Sequence, residues 1–136
     1  MKFKDFVAKD YVGAGFVFIT PDKKVLLLKK ENGKWTFPGG HREEGETPLD
    51  TAKRESIEEI GLMPAGEITT KIVITKQEVK KPVYSFFMRV KEPFVPTLSF
   101  EHKDYKWISV LQIDKKKLTN VFQPFWRLYK KIVTEA

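Results

Sequence analysis

The sequence predicts an α/β fold in which a mixed β-sheet lies between helices. Apolar runs of strand length recur along the chain. An amphipathic segment with signals for both of its ends predicts a helix near the middle, and a second helical pattern lies close to the last residue. A length of 136 residues and an apolar content of 41% suit a single domain, residues 1–136, with one core.

The first part of the chain predicts three strands. Residues 11–19 (YVGAGFVFI) and 24–30 (KVLLLKK) are strand-like, and the turn sequence TPDK between them predicts a hairpin. A second turn, at 31–34, precedes a short strand over residues 35–40, which ends in Pro-Gly-Gly. These elements would place the Pro-Gly-Gly loop directly before the central helix.

The central helix has clear signals at both ends. Thr47 is expected to cap it, Pro48 to take its first position and Gly61 to end it. Its apolar face is expected to contact the sheet, and its glutamates are expected to point the other way. The residues of the apolar face are Leu49, Ala52, Ser56 and Ile60.

The rest of the chain predicts three more strands and a helix. Residues 68–76 and 82–90 are long strands joined by the turn KQEVKK, and a proline-containing loop follows at 92–100. Residues 105–110 form a short strand, and residues 124–133 have apolar side chains at helical spacing. The pattern gives a mixed sheet with helices on either side.

The composition argues against several classes of protein and of functional site. Without cysteine there is no disulfide and no thiolate metal site or nucleophile. Charges interrupt the N-terminal apolar residues, so a signal peptide is not expected, and no apolar run is long enough to span a membrane. We therefore expect a cytoplasmic protein. The net charge is +7, from 25 basic and 18 acidic residues, and it favours polyanionic partners such as nucleotides.

Three glutamates of the central helix would share one face. Glu55, Glu58 and Glu59 lie at positions i, i+3 and i+4, which are neighbours on a helix surface. Like charges at this spacing destabilise an isolated helix unless a cation neutralises them. Oxygen-rich clusters suit hard ions such as Mg²⁺ or Mn²⁺, so the spacing predicts a divalent metal site.

Residues 40–62, GHREEGETPLDTAKRESIEEIGL, resemble the Nudix box, G-x5-E-x7-R-E-U-x-E-E-x-G-U, where U is bulky and apolar. Every charged and glycine position matches, and only Ser56 departs from the pattern. The chain is thereby identified as a MutT-like member of the Nudix hydrolase family. The resemblance implies an α/β/α sandwich and a Mg²⁺-dependent hydrolase, with Mn²⁺ as a substitute, that cleaves a nucleoside diphosphate linked to another group.

The resemblance also implies roles for residues of the box. It assigns metal ligation to Glu55, Glu58 and Glu59. A backbone carbonyl of the preceding loop completes the set; Gly39 is preferred over Gly40 for it. Arg54 is expected to orient a box glutamate, and Glu58 is its i+4 neighbour.

The identity of the general base is left open between the box and a later loop. Glu55 is the first candidate. Glu101, a few residues before Trp107, resembles the additional metal ligand or base of some family members, and Asp104 is a weaker rival. The expected catalytic residues are therefore Glu55, Glu58, Glu101 and Arg54, with Glu101 also a candidate metal ligand.

The substrate class is less constrained than the reaction. The string EHKDYKW at residues 101–107 is similar to a loop of asymmetrical diadenosine polyphosphate hydrolases, and it makes His102 a candidate phosphate contact. The Pro-Gly-Gly loop instead favours nucleoside triphosphate pyrophosphatases. Tyr84 is a candidate for stacking on a base, and Lys29 is a candidate phosphate contact. Further lysines with the same possible role are Lys30, Lys76, Lys80 and Lys81.

We predict a (deoxy)nucleoside triphosphate as the substrate, with dinucleoside polyphosphates at near parity. An RNA 5′-end pyrophosphohydrolase, suggested by the charge of +7, and a nucleotide sensor without turnover are kept as alternatives. A small nucleotide is the expected partner, nucleic acid is not favoured, and no membrane contact is expected. The chain is expected to be a monomer or a homodimer.

Overall fold

The structure, a computed structural model, describes residues 10–136. The first nine residues, which are predicted to belong to the same domain and not to form a signal peptide, lie outside the described residues. The described part has one seven-stranded mixed sheet with helices against it, so the predicted α/β fold is confirmed. None of the helices described here has the length and apolar character needed to cross a membrane.

Seven strands and two α-helices form the described part of the chain. The strands are β1 (Gly13–Ile19), β2 (Lys24–Lys30), β3 (Trp35–Thr36), β4 (Gly39–His41), β5 (Glu67–Lys76), β6 (Lys81–Arg89) and β7 (His102–Ser109). The α-helices are α1 (Pro48–Ile60) and α2 (Trp126–Glu135). Short 3₁₀ helices at Val110–Gln112, Lys115–Lys117 and Gln123–Phe125 connect β7 to α2.

Strand β1 lies at the centre of the sheet. It pairs in parallel with β6 and antiparallel with β4, and β6 pairs antiparallel with β5. Strand β2 pairs antiparallel with β3 and β7. The expected β1–β2 hairpin is present only at its tip, where Ile19 pairs with Val25, because β4 pairs with the start of β1. The predicted strand over residues 35–40 is accordingly two short strands with different partners.

Helix α1 begins and ends as its sequence predicts. The Thr47 hydroxyl accepts a hydrogen bond from the Asp50 N–H at 3.1 Å, and the Asp50 carboxylate accepts one from the Thr47 N–H at 3.1 Å. This reciprocal pair satisfies two of the unpaired donors at the helix start. Gly61 has φ of 80°, a left-handed conformation that glycine adopts without strain, and it ends the helix.

The two faces of the sheet bury separate apolar clusters. Alternate residues of β1 point to opposite faces. Phe16 and Phe18 pack in the cluster that contains Ala52 and Ile60 of α1. Val17 and Ile19 pack in the cluster beneath α2. On the α2 side the buried Tyr129 hydroxyl shares a 2.6 Å hydrogen bond with Ser85. The sheet therefore lies between the two helices.

Three polar residues of α1 are buried: Thr51, Ser56 and Glu59. The Ser56 hydroxyl donates to the Leu62 carbonyl at 2.7 Å, which satisfies the one polar group that departs from the box pattern. Glu59 is buried as well, so the expectation that all glutamates of this helix point away from the core is wrong for Glu59. Its position next to Ile60, at the inner edge of the helix, brings it under the loop that contains Gly39.

Gly15 is required where β1 meets β4. It pairs with Gly39, and the Phe16 N–H donates to the Pro38 carbonyl at 3.0 Å. A Cβ at residue 15 would overlap the backbone carbonyl of Pro38, which cannot move without breaking this pairing. The Gly39 loop can therefore pack directly against β1 only because these glycines have no side chains.

We expect Gly15→Ala to displace the Gly39 loop and to destabilise the protein by about 1–3 kcal/mol, the usual cost of overpacking. Urea unfolding measures the change. Gly33→Asn is the control, because a Cβ there meets nothing within 4 Å and asparagine tolerates the left-handed conformation of Gly33. Equal stability of Gly15→Ala and wild type would contradict the proposed role of this close approach.

Candidate active site

A cavity of about 350 Å³ opens where the β1–β4 pair meets helix α1. Its size is within the range of small-molecule sites. Glutamates from the box and from the later loop line it together, although they are distant in sequence. The predicted site residues along its wall are Gly39, Glu55, Glu58, Glu59, Tyr84, Glu101 and His102.

The three helix glutamates differ in exposure. The side chains of Glu55, Glu58 and Glu59 are 14%, 54% and 6% exposed, respectively. The Glu55 carboxylate lies so close to Gly40 that a Cβ at residue 40 would overlap it. Burial raises the pKa of Glu55 above its ordinary value, although the neighbouring Arg54 opposes the shift. Glu55 is therefore a shielded carboxylate with increased proton affinity.

Glu59 is held beneath the Pro-Gly-Gly loop. Its carboxylate accepts a 2.7 Å hydrogen bond from the Gly39 N–H. Burial raises the pKa of Glu59 to about 8, and the nearby Glu55 and Glu101 contribute in the same direction. The residues around Glu59 therefore do not fully offset the negative charge that its carboxylate carries when ionised.

The loop that contains Glu101 is tied to the end of helix α1. The Thr97 N–H donates to the Ile60 carbonyl at 2.9 Å, and the Ser99 N–H donates to the Glu59 carbonyl at 3.2 Å. Farther along, the Trp107 indole N–H donates to the Phe94 carbonyl at 2.9 Å. These contacts bring the exposed Glu101 to the cavity that Glu55 and Glu59 line.

Arg54 connects the helix carboxylates to one another. Its guanidinium makes two hydrogen bonds to Glu46, at 2.7 and 3.1 Å, one to Glu55 at 2.9 Å and one to Glu58 at 3.1 Å. It also donates to the His41 carbonyl at 2.8 Å. Arg54 lowers the pKa of Glu46 to about 2. The pairing with Glu46 was missed from sequence, because the i+4 rule considers only partners within the helix.

His102 and Tyr84 are more buried than is expected of side chains that contact a substrate directly. The His102 Nε2 lies 3.6 Å from a Glu59 carboxylate oxygen, and its Nδ1 is buried without a partner among the described residues. Burial lowers the pKa of His102. The Tyr84 ring packs edge-on against Tyr11 and stacks on Phe86. Both residues line the cavity, but each offers little exposed surface to a ligand.

The structure does not bring Lys29 to this cavity. Successive residues of a strand point to opposite faces, and Lys30, not Lys29, lines the cavity together with Lys76. The Lys29 ammonium instead lies 5.9 Å from the centre of the Trp35 ring. Asp104, the weaker candidate for the base, pairs with Lys29 across β2 and β7 and is also away from the cavity lining.

Carboxylate oxygens are suitable ligands for a hard divalent cation, but these side chains do not surround a single point. Within residues 10–136, no three His, Asp or Glu side chains form a compact set of metal ligands. Glu55 and Glu58 accept from Arg54, and Glu59 accepts from the Gly39 N–H, so a bound cation would share these carboxylates with donors of the protein. The raised pKa of Glu59 fits a role as ligand, because a nearby cation would stabilise its charged form.

We expect the stability of the chelator-treated protein to fall as the pH rises from 6.5 to 8. The folded pKa of Glu59, about 8, exceeds the ordinary value of 4.5. Folding therefore favours the protonated form, and that stability is lost as Glu59 ionises. Linkage gives a loss of about 1–2 kcal/mol over this window. The lowered pKa of His102 acts with the opposite sign, mainly below its ordinary value of 6.5.

Urea unfolding at several pH values measures this loss, with Glu59→Gln as the matched variant. Glutamine cannot ionise and keeps an oxygen that can accept from the Gly39 N–H, so this variant should lack the part of the slope that Glu59 contributes. Added Mg²⁺ should restore the wild type more at pH 8 than at pH 6.5. The same slope in wild type and Glu59→Gln would rule out Glu59 as its source.

Comparison with known proteins identifies similar sequences. A family model described as NUDIX domain matches residues 10–129. The asymmetrical bis(5'-nucleosyl)-tetraphosphatase of Sus scrofa is 39% identical over 94 residues, which are 62% of this chain and 63% of that protein. The chain thus spans less than two thirds of this relative's length. The RNA pyrophosphohydrolase of Helicobacter pylori is 30% identical over 130 residues, covering 92% of this chain and 74% of that protein.

Solved structures show the same architecture. An Ap4A hydrolase binary complex from C. elegans has a TM-score of 0.75 and 23% identity, covering 91% of this chain and 99% of that one. The Nudix hydrolase RenU from M. smegmatis has a TM-score of 0.79 and 21% identity, covering 93% and 87%. At these identities the likeness establishes the fold.

Proposed function

The chain belongs to the NUDIX domain family, and on that premise we propose that it is a divalent-metal-dependent pyrophosphohydrolase of dinucleoside polyphosphates. The observation that carries the proposal is the convergence of Glu101 and His102 with the box glutamates on one cavity. Glu101 and His102 begin the string that is similar to the diadenosine polyphosphate hydrolases. The Sus scrofa relative, named as an asymmetrical bis(5'-nucleosyl)-tetraphosphatase, supports the same substrate class.

The carboxylates and the loop would supply the metal ligands. Glu55, Glu58, Glu59, Glu101 and the Gly39 carbonyl are the proposed ligand set, with Mg²⁺ as the expected ion and Mn²⁺ as a substitute. When bound, such an ion offsets the charge of the phosphates and lowers the pKa of coordinated water. Arg54 holds Glu55 and Glu58 in place.

The reaction is hydrolysis of a phosphoric anhydride bond. Water attacks a phosphorus of the polyphosphate, the anhydride bond to the leaving nucleotide breaks, and the attacking water loses a proton. Glu55 is the proposed acceptor of that proton, because its burial raises its pKa towards the working pH. Glu101 is the alternative acceptor. Lys30 and Lys76, both on the cavity wall, would contact phosphate oxygens.

A second candidate function is hydrolysis at the 5′ end of RNA. The Helicobacter pylori relative is named RNA pyrophosphohydrolase, and its match extends over 92% of this chain. The net charge of +7 would also favour a polyanionic substrate. Nucleoside triphosphates, favoured by the Pro-Gly-Gly loop, stay a prediction, as do the cytoplasmic location and the monomeric or homodimeric state.

A substrate panel in Mg²⁺ buffer tests the proposal. The panel contains diadenosine tetraphosphate, nucleoside triphosphates, ADP-ribose and a 5′-triphosphorylated oligoribonucleotide, with product separation by ion-exchange chromatography. The expected result is the highest kcat/KM for diadenosine tetraphosphate, with a nucleoside triphosphate and a nucleoside monophosphate as products. Faster turnover of the RNA end or of a nucleoside triphosphate would transfer the assignment to that class.

A further inference from the structure

Outside the carboxylate cavity, lysines gather around one tryptophan on the α2 side of the sheet. The ammonium groups of Lys106 and Lys29 lie 4.2 and 5.9 Å from the centre of the Trp35 ring. A small cleft of about 70 Å³ beside the ring is lined by Trp35, Lys106 and Lys117, among others. We refer to Lys29, Trp35, Lys106 and Lys117 as the basic-aromatic patch.

Long-range pairings bring the patch together. Lys29 pairs with Trp35 across β2 and β3, and Lys106 pairs with Leu27 across β2 and β7. Lys34, the residue before β3, donates a 2.7 Å hydrogen bond from its ammonium to the Lys116 carbonyl in the 3₁₀ helix at Lys115–Lys117. The patch is thus formed by four separate segments of the chain.

Two acids, Asp104 and Asp114, lie near the patch, but among the described residues neither forms an ion pair with its lysines. Burial lowers the pKa of Lys106, and the positive charges of Lys117 and Lys29 add to the shift, while Asp104 opposes it. Asp114 lines the cleft, and its carboxylate caps the 3₁₀ helix by accepting from the Lys116 N–H. The nearby Glu31 pairs with Lys103 at 3.4 Å. An anionic ligand would therefore relieve the repulsion among these lysines.

The patch adjoins the carboxylate cavity. Trp35 lines the cleft and the next residue, Thr36, lines the cavity; in the same way, Leu118 lines the cleft and Thr119 the cavity. The Thr119 N–H donates to the Trp35 carbonyl at 2.9 Å, which holds these two segments side by side. The cleft and the cavity are thus formed by neighbouring residues of the same two segments, whose successive strand residues point to opposite faces of the sheet.

We propose that the basic-aromatic patch binds single-stranded nucleic acid, with its lysines contacting backbone phosphates and Trp35 stacking on a base. Positive grooves combined with aromatic side chains are the usual means of binding single strands. The RNA substrate of the second candidate function would supply such a strand, but binding to the patch requires neither the carboxylate cavity nor hydrolysis.

Binding of a 5′-hydroxyl oligouridylate tests the patch separately from catalysis, because this probe has no phosphoric anhydride bond. Fluorescence anisotropy is measured over a series of salt concentrations for wild type and for Lys106→Gln/Lys117→Gln. The matched control is Lys130→Gln/Lys131→Gln, which removes the same charge from exposed positions on α2. In the patch variant the slope of log K against log salt should become less steep by about 1.4, since each phosphate contact contributes about 0.7. In the control variant the slope should stay near that of wild type.

Trp35 gives a second readout. Oligouridylate should quench part of the tryptophan fluorescence of wild type, and Trp35→Phe should lose that quenching, because Trp35 is the tryptophan on which the base would stack. Three results would overturn the proposal: no binding by wild type at low salt, equal loss of slope in the patch and control variants, or displacement of the probe by duplex RNA of the same length as readily as by single strands. Failure to turn over RNA ends would contradict the second candidate function but not the patch.

Discussion

Glu55→Gln is expected to lower kcat by about 10³-fold or more, within the range that a general base or a charged metal ligand supplies. Glutamine has the same shape and keeps an oxygen that can accept from Arg54, so the helix and the hydrogen bonds of Arg54 should remain. The amide cannot accept a proton from water and is a weak ligand for a hard cation. KM for the nucleotide should change much less than kcat, because the loss falls on the chemical step.

Steady-state kinetics on diadenosine tetraphosphate, with circular dichroism to confirm folding, measure this effect. Glu44→Gln is the control, because Glu44 lies in the same box at an exposed position outside the cavity lining. Glu101→Gln distinguishes between the two candidate bases. In the pH profile of kcat, activity should fall at acidic pH as the base becomes protonated. The variant that lacks this fall identifies the proton acceptor. Near-wild-type turnover of Glu55→Gln would exclude Glu55 from catalysis.

Arg54→Ala is expected to lower kcat/KM by about 10²-fold, the upper range for loss of a residue that orients metal ligands. The change would leave Glu46, Glu55 and Glu58 without their common partner, and their mutual repulsion would displace the two cavity glutamates. Because Arg54 also joins the helix to the His41 carbonyl, the melting temperature should fall as well. Arg54→Lys should rescue little, since an ammonium cannot reproduce the forked contact with Glu46.

Metal titration followed by thermal melting distinguishes this role from a purely structural one. If Arg54 orients ligands, Arg54→Ala should need more Mg²⁺ for half-maximal activity than wild type does. Arg89→Ala is the matched control, because Arg89 makes a single exposed ion pair with Glu67 at 3.0 Å. Such surface pairs contribute little, so its activity and metal requirement should not change. An unchanged Mg²⁺ requirement in Arg54→Ala would leave Arg54 with only a role in stability.

The features that were predicted from the sequence are those that depend on near neighbours in the chain. The caps of α1 follow from Thr47, Pro48 and Gly61, and β2 begins and ends at the predicted residues. The box spacing identified the family, which the family model confirms. Spacing also named the glutamates that line the cavity, although their roles stay predictions.

The features that were missed depend on residues distant in sequence. The division of residues 35–40 into β3 and β4 follows from their pairing with two different strands, which no local pattern specifies. Glu59 is buried because the Gly39 loop covers it, and the charge pattern of the helix alone could not show that. Lys29 was chosen over Lys30 because strand periodicity does not tell which face will carry the cavity.

The parallel pairing of β1 with β6 has a consequence for synthesis on the ribosome. Gly13 pairs with Val83 and Ile19 with Arg89, so the central strands are joined only after some seventy intervening residues have been made. Until β6 emerges, the nascent chain has an apolar strand with an open edge, which is a site for wrong pairing. Arrest of translation before residue 81 should leave a chain that depends on chaperones to stay unaggregated.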